Sequence, residues 1–115
     1  MGSHVIFTEQ SLDDLHAIVC YIAIDSPERA RAFGHALTDK ALSLGEFPEI
    51  GRISPELSDP AVRELIHGPY RIIYEVRSDP DAIFILRFWH AARGFPEVRY
   101  LEEAKMSLST SYFSD

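Results

Sequence analysis

The apolar spacing of this chain changes period once, and that change constrains the fold more than any single motif. Leu12, Leu15, Ile18, Val19 and Ile22, then Ala30, Phe33, Leu37, Ala41 and Leu44, recur at three- and four-residue steps, the signature of amphipathic helices. Later the step becomes two. Tyr70, Ile72, Tyr74 and Val76 share one face of an extended segment, and Arg71, Ile73, Glu75 and Arg77 share the other. The first half of the chain is therefore predicted as helices and the second as sheet, an α+β arrangement. At 115 residues it has the size of one domain.

Local signals set the boundaries. Val5 to Thr8 is a short β-like run before the first helix. Asp25-Ser26-Pro27-Glu28 stops that helix and starts a second, because Ser26 can cap a new N-terminus and Pro27 tolerates the first helical position. Phe47-Pro48 is expected to end the second helix. Two helices joined by so short a turn should form an antiparallel hairpin. Residues 49–60 are rich in Pro, Gly and Ser and read as a loop. Val62 to His67, Tyr70 to Arg77 and Ala82 to His90 follow as three strands of an antiparallel meander. Its apolar face should be covered by the hairpin and its other face should be wetter. Glu97 to Met106 is expected to form a short C-terminal helix and residues 107–115 a flexible tail. Met1-Gly2-Ser3-His4 reads as a vector remnant, which leaves 5–106 as the domain.

Charge and composition narrow the function classes. Against 18 acidic residues stand 11 basic ones, a net charge of −7, which opposes sequence-independent binding to nucleic acid. No apolar run approaches the roughly 20 residues of a membrane span, and a cytoplasmic protein is expected. A single cysteine, Cys20, excludes an internal disulfide or a multi-thiolate metal site. There is no Gly-rich phosphate loop, no zinc-binding His-Glu-x-x-His and no nucleophile elbow, so neither cofactor nor metal is expected. Asp13, Asp14 and His16 lie outside or at the edge of the first helix's apolar stripe and read as a solvated face. Cys20 reads as a small helix residue.

The cations beyond the first half are mostly arginines within residues 60–95. Together with nearby rings they form the candidate site: Arg63, Tyr70, Arg71, Tyr74, Arg87, His90 and Arg93. Cleaving RNA through its 2′-hydroxyl needs a proton acceptor, a proton donor and cations for the charged phosphorane, and such a set could supply them. The same residues also suit a purely structural account. In that account Tyr70 and Tyr74 face the core, Trp89 packs, and the arginines are solvated strand residues that discourage edge pairing.

The order of these elements, with Tyr21-Ile22, Ser26-Pro27, Phe47-Pro48-x-x-Gly51-Arg52, Val62-Arg63-Glu64-Leu65, Tyr70-Arg71-Ile72-Ile73-Tyr74 and Trp89-His90-Ala91-Ala92-Arg93, resembles the RelE/ParE superfamily of type II toxins over about residues 5–100. The resemblance implies a small α+β toxin neutralised by a cognate antitoxin encoded beside it. It implies one of two activities, inhibition of DNA gyrase (ParE-like) or ribosome-dependent mRNA cleavage (RelE-like). A non-toxic interaction module of the same fold is the third reading. Arg71 matches a basic position of the nucleases. Their lysine pair is not reproduced around Arg63, and the arginine expected after the last strand falls near Ala91 or Ala92. If the chain were a nuclease, Arg71, His90, Arg93 and Arg63 would carry the chemistry, with His67 as a further histidine. The resemblance favours the ParE-like branch, with gyrase as target and the ribosome and mRNA as the alternative.

Overall fold

A computed structural model describes residues 3–56, 59–78 and 81–94. The chain runs β1 (His4–Phe7), α1 (Glu9–Asp25), α2 (Pro27–Ser43), β2 (Arg52–Ile53), β3 (Val62–His67), β4 (Tyr70–Ser78) and β5 (Asp81–His90), then one 3-10 turn over Ala91–Arg93. The helices stop and restart at Ser26, as the sequence predicts. Its hydroxyl accepts from the Arg29 N–H at 3.2 Å, and Pro27 fills the first helical position. The second helix ends at Ser43, four residues before the expected stop at Phe47, with Leu44 already drawn into the core.

The five strands form one sheet in the order β1-β5-β4-β3-β2. The three long strands form the expected antiparallel meander. The sheet as a whole is mixed, because β1 pairs parallel to β5, His4 opposite Ala82 through Phe7 opposite Ile85, a pairing that the sequence did not indicate. That strand begins at His4, inside the segment read as a vector remnant. The loop at 49–60 also contains β2, whose two residues pair with Arg63 and Glu64 of β3. The β3–β4 turn is built as its residues dictate. Gly68 takes φ +58°, and Pro69 excludes the turn type that needs positive φ at both central positions. The segment expected as a C-terminal helix and the tail after it lie outside the described residues.

The hairpin covers the sheet face predicted for it. Ile18, Leu37, Ala41 and Leu44 pack on Phe7, Ile72, Tyr74, Ile83, Ile85 and Phe88. The opposite face is less wet than alternation suggests. Val62, Ile73, Leu86 and Trp89 form a second buried cluster there, and Glu64 and Glu75 are buried with them. Both faces of the middle strands are therefore closed to water.

Between Ile73 and Tyr74 of β4 the register with β5 slips by one, so that Leu86 and Arg87 together oppose Ile73. The slip falls where β1 ends and β5 loses its parallel neighbour. Thr8 takes over that edge. Its N–H and hydroxyl reach the Ile85 carbonyl at 3.1 and 2.8 Å, and its hydroxyl oxygen caps α1 by accepting from the Ser11 N–H. One turn further along α1, the Asp14 carboxylate accepts from the Phe88 N–H at 3.1 Å. The first two turns of α1 thus complete the hydrogen bonding of β5 where no strand is left to do so.

Candidate functional site

The seven candidate residues do not converge. The structure distributes them over four separate arrangements, each fixed by strand alternation and by the bulge in β5.

Arg71 projects to the sheet face away from the helices, diagonally across from Glu64 of β3, which stands opposite Ile73. The Glu64 side chain is fully buried. Its Oε2 accepts from Arg52 Nε at 2.6 Å and its Oε1 from Arg71 at 3.3 Å. Arg71 also lies 3.5 Å from Glu56, and only 16% of its side chain is exposed. A carboxylate withdrawn from water requires such partners, and here two guanidiniums supply them. Sequence reasoning missed Glu64. Its signal was its place on the same strand face as Val62.

Arg63 and Tyr74 secure the segment before β2. The Tyr74 hydroxyl donates to the Pro48 carbonyl and accepts from the Gly51 N–H, both at 2.9 Å, while Arg63 donates to the Gly51 carbonyl at 2.7 Å. Gly51 must be glycine, because a Cβ there would stand 2.6 Å from both the Glu64 carbonyl oxygen and the Tyr74 hydroxyl. Tyr74 has no exposed surface, and burial pushes its pKa above the ordinary tyrosine value.

Arg87 forms a two-point ion pair with Asp14, at 2.8 and 2.9 Å. Asp14 is therefore not part of a solvated helix face, as expected from the stripe. The bulge carries Arg87 over the sheet edge to meet it. The Arg87 guanidinium also lies 4.8 Å above the Trp89 ring. His16 and Cys20 do stay exposed, with Nε2 and Sγ 3.5 Å apart one helical turn from each other.

Tyr70, His90 and Arg93 remain together. With Tyr21, Ile18 and Phe88 they line an open pocket of about 410 Å³ between α1 and the end of β5. The Tyr70 and His90 rings meet edge to face at 5.0 Å, and Phe33 tilts against Tyr70 and His67 at 5.6 and 5.8 Å. Arg93 lies 4.1 Å above the Trp89 ring. Burial is the main cause that raises the Tyr70 pKa, the nearby Tyr21 adds to it, and Arg93 opposes it. A second, apolar groove of about 390 Å³ opens on the hairpin, lined by Ile22, Arg29, Ala32, Phe33 and Ala36. It continues past Ile24, which is 84% exposed, to Tyr21. Among the described residues no group of three or more His, Cys, Asp or Glu could hold a metal ion, and no helix is long and apolar enough to cross a membrane.

Residues 5–95 match the family described as ParE toxin of type II toxin-antitoxin system, parDE. The chain is 39% identical over 91 residues to Toxin RelE2 of Caulobacter vibrioides, covering 79% of this chain and 98% of that relative. Solved structures share the fold. A chain from the chromosomal ParDE system of P. aeruginosa aligns with a TM-score of 0.63 at 24% identity, covering 76% of this chain and 95% of that one. A chain of the RelBE2 toxin–antitoxin complex of Mycobacterium tuberculosis aligns at 0.57 and 24%, covering 78% and 99%. A substituted E. coli toxin RelE in the free state aligns at 0.62 and 16% identity, covering 94% and 99%.

Proposed function

Because this chain belongs to the ParE toxin family of type II toxin–antitoxin systems, within the wider RelE/ParE fold, we propose that it arrests growth by inhibiting DNA gyrase and is neutralised by a cognate antitoxin. The observation that carries the choice of target is the state of Arg71. A phosphoryl-transfer site needs cations free to meet the developing charge on phosphate, each lost donor costing about 3 kcal/mol of transition-state stabilisation. Arg71 is instead engaged by Glu64 and Glu56, Arg87 by Asp14, and Arg63 by backbone carbonyls of the 48–51 segment. His90 lies in the pocket on the helical side, away from Arg71. A chain of net charge −7 also gains little from the counterion release that draws proteins to ribosomal RNA.

The antitoxin is expected on the hairpin groove, where Ile22, Phe33 and Ile24 offer an apolar track to an amphipathic segment. Beyond Glu64, β3 has no partner from β2, so Leu65 to His67 could also accept an added strand. Two of the similar solved structures come from a ParDE toxin–antitoxin system and a RelBE2 toxin–antitoxin complex, which supports such a partner.

Inducing the toxin alone and following both cellular responses tests the reading. A gyrase-dependent DNA-damage signal without cleavage of translated mRNA is the expected result. Rapid transcript cleavage that is lost in Arg71→Ala or His90→Ala, without DNA damage, would replace gyrase by the ribosome as target.

A further inference from the structure

The pocket between α1 and the end of β5 is not used by the function proposed above. Apart from Asp14, its polar side chains can all donate a hydrogen bond. Among the described residues the Tyr21 and Tyr70 hydroxyls have no hydrogen-bond partner, and Arg93 is engaged only through its stacking on Trp89. The His90 Nδ1 accepts from the Ala92 N–H at 3.1 Å, so the proton of the neutral ring sits on Nε2, again a donor. Asp14, the one carboxylate on the lining, is neutralised by Arg87 and capped by the Phe88 N–H, so it does not repel an anion. The remaining lining, Ala17, Ile18 and Phe88, is apolar.

A ligand for this lining brings acceptors and negative charge at one end and a ring at the other. We propose that the pocket binds a planar ring carrying a single phosphate or carboxylate, the chemistry of a nucleoside monophosphate or an aromatic acid. The ring packs on Ile18 and Phe88 between Tyr21 and Tyr70, and the anion meets Arg93 and the His90 Nε2–H. At about 410 Å³ the cavity falls within the size range of small-molecule sites. Arg93 is held over Trp89 before any ligand arrives, so little ordering cost remains for it at binding.

Titrating the full chain with adenosine 5′-monophosphate, phenyl phosphate, benzoate and inorganic phosphate, followed through the tyrosine and histidine ring resonances, tests the proposal. Ring-bearing anions are expected to shift Tyr21, Tyr70 and His90 saturably with Kd below about 1 mM, and inorganic phosphate to bind at least about tenfold more weakly. A tighter Kd for the nucleotide than for phenyl phosphate assigns the site to nucleotides, and the reverse order assigns it to aromatic acids. Arg93→Ala should weaken binding about tenfold or more and Tyr70→Phe severalfold, while the distant Arg77→Ala leaves it unchanged and all three variants melt cooperatively. No saturable shift by about 10 mM, equal binding of phosphate with and without the ring, or an unaffected Arg93→Ala variant would overturn the proposal.

Discussion

Asp14 of α1 and Arg87 of β5, 73 positions apart, meet through two parallel hydrogen bonds at 2.8 and 2.9 Å, and the same carboxylate accepts the Phe88 N–H. Their side chains are 14% and 12% exposed, so the pair is largely withdrawn from water. It ties the helical hairpin to the sheet at the point where β1 has ended.

Asp14→Ala is therefore expected to cost about 3 kcal/mol, because it removes the carboxylate that accepts from both the Arg87 guanidinium and the Phe88 N–H. That corresponds to a fall in Tm of roughly 10 °C or more for a domain of this size. Asp14→Asn, which retains an acceptor for Phe88, should cost less. Denaturant unfolding of both variants checks the order, and a double-mutant cycle with Arg87→Ala should give clear coupling.

The hydroxyl of Tyr74 bridges Pro48 and Gly51 from inside the core. Tyr74→Phe removes both bonds and leaves two backbone groups unsatisfied, at about 1–3 kcal/mol. Gly51→Ala should destabilise as well, since backbone and not only a side chain stands in the way of the new methyl. Equilibrium unfolding of the two variants measures both effects. A Tyr74→Phe variant as stable as the parent would show that the segment is held by Arg63 alone.

Much of this was legible in the sequence, and the exceptions have physical reasons. The change of period placed both helices and the three long strands, and Ser26-Pro27 marked the helix junction. β2 was hidden because Arg52-Ile53 is too short to show alternation, and the parallel pairing of β1 because pairing partners 78 positions apart leave no local trace. The pairing of Asp14 was hidden for the same reason. Glu64 was readable in principle, as a carboxylate on the Val62 face of a strand. The pocket was partly visible, since Tyr70, His90 and Arg93 were named, but Tyr21 on α1 was not singled out for it.

Glu64→Gln removes the buried carboxylate that accepts from Arg52 and Arg71, while Glu56 remains near Arg71. It is expected to destabilise the fold by about 1–3 kcal/mol, because the largely buried Arg71 guanidinium loses a charged acceptor. Restoring an apolar environment by replacing Arg71 as well should recover part of the loss, and unfolding curves of the single and double variants test it.

Stability should fall at high pH. Burial raises the pKa of both Tyr70 and Tyr74 above 10.0 in the folded chain, whereas in the unfolded chain they ionise near that value. Above about pH 10 the unfolded state then binds fewer protons than the native one, so stability is complete below that pH and declines as pH rises through the folded pKa values. Tyr74→Phe should flatten the decline, which denaturant midpoints measured on either side of pH 10 would reveal.

The most direct test of the proposed activity places the purified toxin in two reactions side by side, DNA supercoiling by gyrase and translation of a defined mRNA. The account predicts that supercoiling is inhibited in proportion to the toxin added, that the antitoxin reverses the inhibition, and that the mRNA stays intact on translating ribosomes. Unimpaired supercoiling together with codon-specific cleavage of the mRNA would contradict it.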